Sequence, residues 1–254
     1  MVDLRGKHGL VVGVANRDSI AWGCAAAMKA GGASLALTYL NEKARPHIEP
    51  LADEAGAEML LPLDVEAPGQ SQAAFDEVRR RWGRLDFLVH SIAYALAADL
   101  QGRVADCSLE GFERAMRISC YSLIEMARLA EPLMTGGGAI LTMSFGGADR
   151  VVPGYNLMGP VKAALQSTVR YLAEELGSSG VRVVALSPGS IRTRAASGLA
   201  RFDRLLDDAA SRSPQRRLVT VEEVGETAAF LASDGARGIT GDTIYVDAGR
   251  HVVC

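Results

Sequence analysis

Seven short apolar runs recur along the chain, each separated from the next by a longer segment, and this alternation restricts the fold more than any other feature. The runs are "GLVVGV" (9–14), "ASLALTYL" (33–40), "AEMLLPLDV" (57–65), "LDFLVHSIA" (85–93), "GAILTMSF" (138–145), "GVRVVALSPG" (180–189) and "DTIYVDAG" (242–249). Their length and β-branched content predict strands. The segments between them at 19–32, 43–56, 70–82, 111–134, 156–177 and 221–233 read as helices, with Ala74, Phe75 and Val78 at helical spacing in the third. A polar, Arg-rich segment at 191–217 lacks strong periodicity and reads as a lid with short helices. Strands joined by helical crossovers must pair in parallel, and right-handed crossovers put helices on both faces. The expected fold is therefore α/β: a Rossmann-type, doubly wound parallel sheet of about seven strands. No linker, repeat or low-complexity block interrupts the pattern, so residues 1–254 are expected to form a single domain.

Composition narrows the partners. With 254 residues and 48% hydrophobic content, the chain can bury a sizeable core. Its 27 basic and 30 acidic residues give a net charge of −3, so no strong field for nucleic acid or an anionic membrane is expected. Four scattered cysteines, without a C-x-x-C pair or clustered His, predict reduced thiols, no metal site and a cytoplasmic setting. No signal-peptide core and no stretch long enough to span a bilayer is visible.

In a doubly wound sheet, ligands lie at the carboxyl ends of the strands, near the point where strand order reverses. The strand tails at 13–20, 40–43, 64–65, 90–96, 144–155 and 187–196 are therefore where chemistry is expected. The first, within "GVANRDSIAWG" (13–23), has only Gly13 and Gly23 as glycines. Gly13 permits a close turn and Ser19 is a good helix N-cap; together they fit either a phosphate-binding turn or an ordinary connection. Leu40 and Asn41 stand where a ribose-binding acid is common, with Glu42 one step on and no arginine for a 2′-phosphate. Arg17, Lys43 and Arg45 are near enough in sequence to reach one. Asp64 either accepts from an adenine amino group or caps a helix. Tyr155 and Lys162, seven apart, are expected on one face of a helix. There an ammonium can hold a ribose and favour a phenol as donor. Pro160 fits such a helix only within its first turn. Pro188-Gly189 breaks the sixth strand, and the backbone and Thr193 beyond it either contact the nicotinamide half of a cofactor or form a plain turn. Arg192, Arg194, Arg201 and Arg204 form either a solvated face or a meeting place for an acidic carrier.

These motifs together resemble the short-chain dehydrogenase/reductase superfamily and, within it, the bacterial enoyl-acyl-carrier-protein reductases. The resemblance covers nearly the whole chain. It lies in Gly13-Val14-Ala15 followed by Ser19-Ile20-Ala21, in Tyr155 with Lys162, and in "HSIAYA" (90–95), "SFGGADRVVPGYNLMG" (144–159) and "IRTRAASG" (191–198). It implies that Gly13, Ser19 and Ile20 hold a pyrophosphate and that Asp64 and Val65 flank adenine near Leu40. Ser91 and Ile92 would lie by the nicotinamide ribose with Lys162, and Ile191 through Ala195, including Thr193, by the carboxamide. Ala95 and Phe145 would meet the acyl substrate, and Tyr155 would donate to the thioester oxygen. The implied reaction is reduction of a trans-2-enoyl thioester, with hydride passing to the β-carbon and an enolate forming. NADH is the cofactor expected over NADPH, acyl carrier protein the substrate carrier, and a homotetramer the assembly. Phe145 stands where many members have a second tyrosine, Pro160 is unusual, and Ala248 and Arg250 replace a glycine and an aromatic near the chain end. The alternatives are a specialised enoyl or 3-oxoacyl thioester reductase, or a catalytically silent NAD(P)-binding protein.

Overall fold

The computed structural model describes residues 2–193 and 202–253. The stretch 194–201, with Arg194, Ala195, Arg201 and the middle of the expected lid, lies outside the described residues. In chain order the first half comprises β1 (His8–Val12), α1 (Ile20–Ala30), β2 (Ser34–Tyr39), α2 (Arg45–Glu54), β3 (Met59–Pro62), α3 (Gln70–Trp82) and β4 (Phe87–His90). The second half comprises α4 (Ala97–Leu100), α5 (Leu109–Met116), α6 (Ser122–Ala130), β5 (Gly138–Met143), α7 (Met158–Gly177), β6 (Val181–Pro188), α8 (Phe202–Arg212), α9 (Val221–Ala232) and β7 (Thr243–Val246).

All seven strands pair in parallel, in the order β3-β2-β1-β4-β5-β6-β7. The order reverses between β1 and β4, so the crevice expected to take a ligand opens where the tails at 13–20 and 90–96 leave the sheet. Two apolar cores form, one on each face, because central parallel strands are covered on both sides. Val11, Leu35, Leu37, Val89, Leu141 and Val184 pack with α1 and α9. Leu10, Leu88, Ile140, Val183 and Ala185 pack with α3, α6 and α7.

Two expectations change. The helix expected over 111–134 begins at Leu109 and is interrupted by a π turn at Arg117–Tyr121. Side-chain bonding accounts for the break: Ser122 Oγ donates back to Ile118 O at 2.6 Å, and Ser119 Oγ turns out to bond Tyr94. Tyr155 lies before α7 instead of on it. It sits in a turn closed by Tyr155 N to Val152 O at 3.0 Å, followed by Asn156 at φ 42°. Asn tolerates that conformation, and its Nδ2 donates to Leu100 O at 2.7 Å. Pro160 falls inside the first turn of α7, where its missing N–H has no intrahelical partner.

Gly23, the second glycine of the opening turn, serves packing. A Cβ there would meet Val221 O at 2.2 Å, and one on Gly225 would meet Gly23 O at 2.1 Å. Helices α1 and α9 therefore touch backbone to backbone. Gly225→Ala is expected to destabilise the protein by about 2–3 kcal/mol, a fall in melting temperature of roughly 5–10 °C, measured by thermal unfolding. A change under about 1 °C would show that the seam yields freely.

Candidate active site

The strand tails converge on a cleft of about 400 Å³ at the carboxyl edge of the sheet. Eleven of the residues singled out from sequence line it: Gly13, Ser19, Ile20, Ser91, Ile92, Ala95, Phe145, Tyr155, Lys162, Ile191 and Thr193. Three do not. Leu40, 55% exposed, lies at the exit of β2. Asp64 and Val65 lie past the end of β3, where Asp64 Oδ1 accepts from Glu66 N at 2.9 Å and Val65 packs on the core. That bond makes Asp64 the cap of its own turn; the N-cap of α3 is Gly69.

The opening turn is built for close approach. Gly13 has φ +105°, and a Cβ on it would meet Ser91 O at 2.1 Å. Only glycine satisfies both demands. Ser19 then caps α1: its Oγ donates to Asn16 O at 2.6 Å and accepts from Trp22 N at 3.4 Å. The positive end of an 11-residue helix thus faces the cleft. Arg17 turns away from it. Its guanidinium pairs with Glu54 on α2 through two contacts and lies over the Trp22 ring. Arg45 is likewise engaged, with Glu42 at 3.7 Å, Glu49 at 3.5 Å and the Tyr39 ring at 5.7 Å.

The other wall carries the titratable pair. Lys162, 4% exposed, donates from Nζ to Met143 O at 2.6 Å, which ties α7 to the exit of β5. Burial pushes its ammonium down to about 8. The next residues of β5's tail hold the tyrosine. The Phe145 ring packs on the Tyr155 ring at 4.7 Å, tilted by 55°. A Cβ on Gly147 would meet Tyr155 Cδ1 at 2.4 Å, so the ring packs closely against bare backbone. Desolvation raises the Tyr155 phenol above its ordinary value, so it is protonated near neutrality and keeps an O–H to donate.

Behind this pair, His90 is wholly buried and pushed down to about 3, first by burial and then by Lys162. Ser122 Oγ already donates to Ile118 O, so at 2.7 Å it must accept from His90 Nε2. His90 Nδ1 then accepts from Thr142 Oγ1 at 2.9 Å. The ring is a neutral brace between β4, β5 and α6. At the mouth, Ser119 Oγ accepts from Tyr94 N at 3.0 Å and donates to Tyr94 O at 3.2 Å. The Arg114 guanidinium, paired with Glu66, lies 4.8 Å from the Tyr94 ring centroid. Sequence reasoning missed Tyr94, Leu100, Met143, Ser144 and Met158 in the lining. Tyr94, Met143 and Ser144 sit on or beside the flagged tails of β4 and β5; Leu100 and Met158 carry no such signal.

The cleft combines an anion-ready helix end, a buried ammonium and a phenol donor. Those features define a dinucleotide-dependent oxidoreductase of the short-chain dehydrogenase type. The profile of the enoyl-(acyl carrier protein) reductase family matches residues 13–251. The chain is 47% identical over 249 residues to NADH-dependent enoyl-acyl-carrier-protein reductase 2 of Rhizobium meliloti, covering 98% of this chain and 93% of that one. It is 46% identical to the corresponding NADH-dependent enzyme of Nostoc sp., covering 100% and 99%. The crystal structure of the Anaplasma phagocytophilum reductase in complex with NAD superposes with a TM-score of 0.95 at 47% identity, covering 98% and 95%. That of the Bacillus cereus reductase with NADP+ and an indole naphthyridinone gives 0.97 at 44%, covering both chains fully. The chain belongs to the enoyl-acyl-carrier-protein reductase family.

The Lys162 environment carries a pH signature. The folded state releases this proton near 8, below the free-lysine value of 10.5. The penalty for burying the ammonium is fully present below about 8 and fades as pH rises toward 10.5. Relative to Lys162→Met, the wild type should therefore gain stability with rising pH across that window, by up to roughly 3 kcal/mol. Denaturant unfolding of both proteins at stepped pH measures this, and a flat difference would contradict the burial of a charged Lys162.

Proposed function

We propose that this chain reduces the trans-2 double bond of enoyl thioesters carried by acyl carrier protein, with NADH as the reductant. The observation that carries the reading is the convergence of Gly13, Ser19, Tyr155 and Lys162 on one cleft. The residues fit a dinucleotide: a side chain on Gly13 would occlude the turn, and the α1 N-terminus favours a pyrophosphate. In this reading the adenosine end lies over the exits of β2 and β3, by Leu40, Asp64 and Val65. Ser91, Ile92, Ile191 and Thr193 surround the nicotinamide end. The reduced nicotinamide supplies a hydride when bound.

The chain's own residues account for the rest. Lys162, held on Met143 O, presents its remaining N–H donors to ribose hydroxyls. Ala95 and Phe145 give the acyl group an apolar wall beside Tyr155. The Tyr155 hydroxyl donates to the thioester oxygen, where negative charge develops as the β-carbon is reduced. The phenol is protonated near neutrality, and desolvation raises it further, so its O–H is available to that charge. Phe145 has no hydroxyl, so Tyr155 is the sole tyrosine donor of this pair. The engagement of Arg17 and Arg45 in ion pairs supports NADH over NADPH.

Residues 1–254 act as one domain in this reading, with about 191–217 as the substrate-side lid. The exposed apolar side chains Leu109, Phe112, Tyr121, Ile124 and Tyr171 along α5, α6 and α7 support self-association, and a homotetramer is proposed. No helix among the described residues is long and apolar enough to cross a membrane, which fits a cytoplasmic enzyme.

Turnover of crotonyl and longer enoyl thioesters with NADH tests the reading. Reduction of 3-oxoacyl thioesters in their place would overturn it. Tyr155→Phe is expected to lower kcat by about 10²–10³-fold while NADH affinity holds; unchanged kcat would remove Tyr155 from the chemistry. A higher kcat/KM with NADPH would reverse the cofactor assignment. Light scattering at the mass of fewer than four chains would reverse the tetramer.

A further inference from the structure

Ser144 leaves β5 between two fixed points. Its N–H donates to Leu186 O at 2.6 Å, and the residue before it, Met143, holds Lys162. The residue lines the cleft although it is only 6% exposed. Gln166, one turn beyond Lys162 on α7 and equally buried, donates from Nε2 to Ser144 Oγ at 3.0 Å. The same Nε2 reaches Asp149 Oδ2 at 3.4 Å, and that oxygen also accepts from the Tyr245 hydroxyl of β7 at 2.8 Å.

The direction of these bonds follows from what each group can do. A carboxylate only accepts, so Asp149 repels the oxygen of the Gln166 amide and draws its nitrogen. With the amide turned that way, Gln166 must donate to Ser144 Oγ and cannot accept from it. The Ser144 hydroxyl therefore keeps its own hydrogen, and no described residue accepts it. A buried donor without a protein acceptor is unfavourable unless a ligand completes it. Ser144 directly follows Met143, whose carbonyl holds Lys162, and both residues line the same cleft as the β6 exit at Pro188–Ile191. The apolar Ala95 and Leu100 belong to its other wall.

We propose that Ser144 is a cofactor-contacting residue, donating to an oxygen on the nicotinamide half of the dinucleotide. Asp149 and Gln166 are positioning residues that fix the direction of that donation. The proposal rests on the dinucleotide reading above, and adds a donor and its orienting pair.

Fluorescence titration of the full chain with NADH tests it. Ser144→Ala is expected to raise Kd about fivefold, the loss of one neutral hydrogen bond, and Ser144→Thr, which keeps the hydroxyl, to restore most of it. Asp149→Asn, on a surface turn, lets the amide rotate and accept the serine hydrogen. It should weaken NADH in the same direction, and the Ser144→Ala/Asp149→Asn double variant should bind no more weakly than Ser144→Ala alone. An unchanged Kd in Ser144→Ala, or full additivity in the double variant, would overturn the proposal. So would an unchanged Kd with a raised KM for the thioester, which would assign the hydroxyl to the substrate. A wild type that binds NADH and fails to reduce enoyl thioesters would sink the activity reading and leave the Ser144 result standing.

Discussion

The bond from Lys162 Nζ to Met143 O, at 2.6 Å, is the constraint on which the rest of the site depends. It places a charge in a dry interior, which is unfavourable unless well bonded. In return it locks the start of α7 to the exit of β5, the two segments that carry the donors. Phe145 follows Met143 by two residues and holds the Tyr155 ring, while Gln166 follows Lys162 by one turn and holds Ser144. One contact thus sets the register of both halves of this cleft wall.

Electrostatics divides the labour between the two residues without any neighbouring acid. Burial moves Tyr155 and Lys162 in opposite senses: the phenol is held in its neutral form, and the ammonium, despite an opposing effect of Cys120, is brought closer to losing its proton. His90 stays neutral because burial and then the Lys162 charge disfavour its protonation, and its two ring nitrogens bond Ser122 and Thr142. The site therefore carries one positive charge in its buried wall and faces the positive end of α1, a field that suits an anionic cofactor and a developing oxyanion.

The strand rhythm made the sheet legible, because a parallel strand buried on both faces can only be a short apolar run. It also made most of the site legible, because ligands gather where such strands end; eleven of fourteen site residues read from sequence line one cleft. What the sequence hid was set by side-chain bonding between distant segments. The seven-residue spacing of Tyr155 and Lys162 suggested a shared helix face, yet a left-handed Asn156, anchored on Leu100 O, turns the chain between them. The π turn in the long helix arises where Ser119 grips Tyr94. Gly23, the second glycine of the 13–23 stretch, is small because α9 passes against it. Ser119, Asn156 and Gly23 each meet a partner far away in sequence, at Tyr94, Leu100 and Val221.

The central claim is that the cleft sets the β-carbon of an enoyl thioester against the reduced nicotinamide while Tyr155 receives the charge on oxygen. The most direct measurement is isotopic: crotonyl thioester is turned over with NADH carrying deuterium at both positions of nicotinamide C4, and the product is analysed by NMR. The account predicts a saturated butyryl thioester with one deuterium at C3 and a solvent-derived hydrogen at C2. Deuterium at C2, or a crotonyl thioester left unreduced while NADH binds, would contradict it.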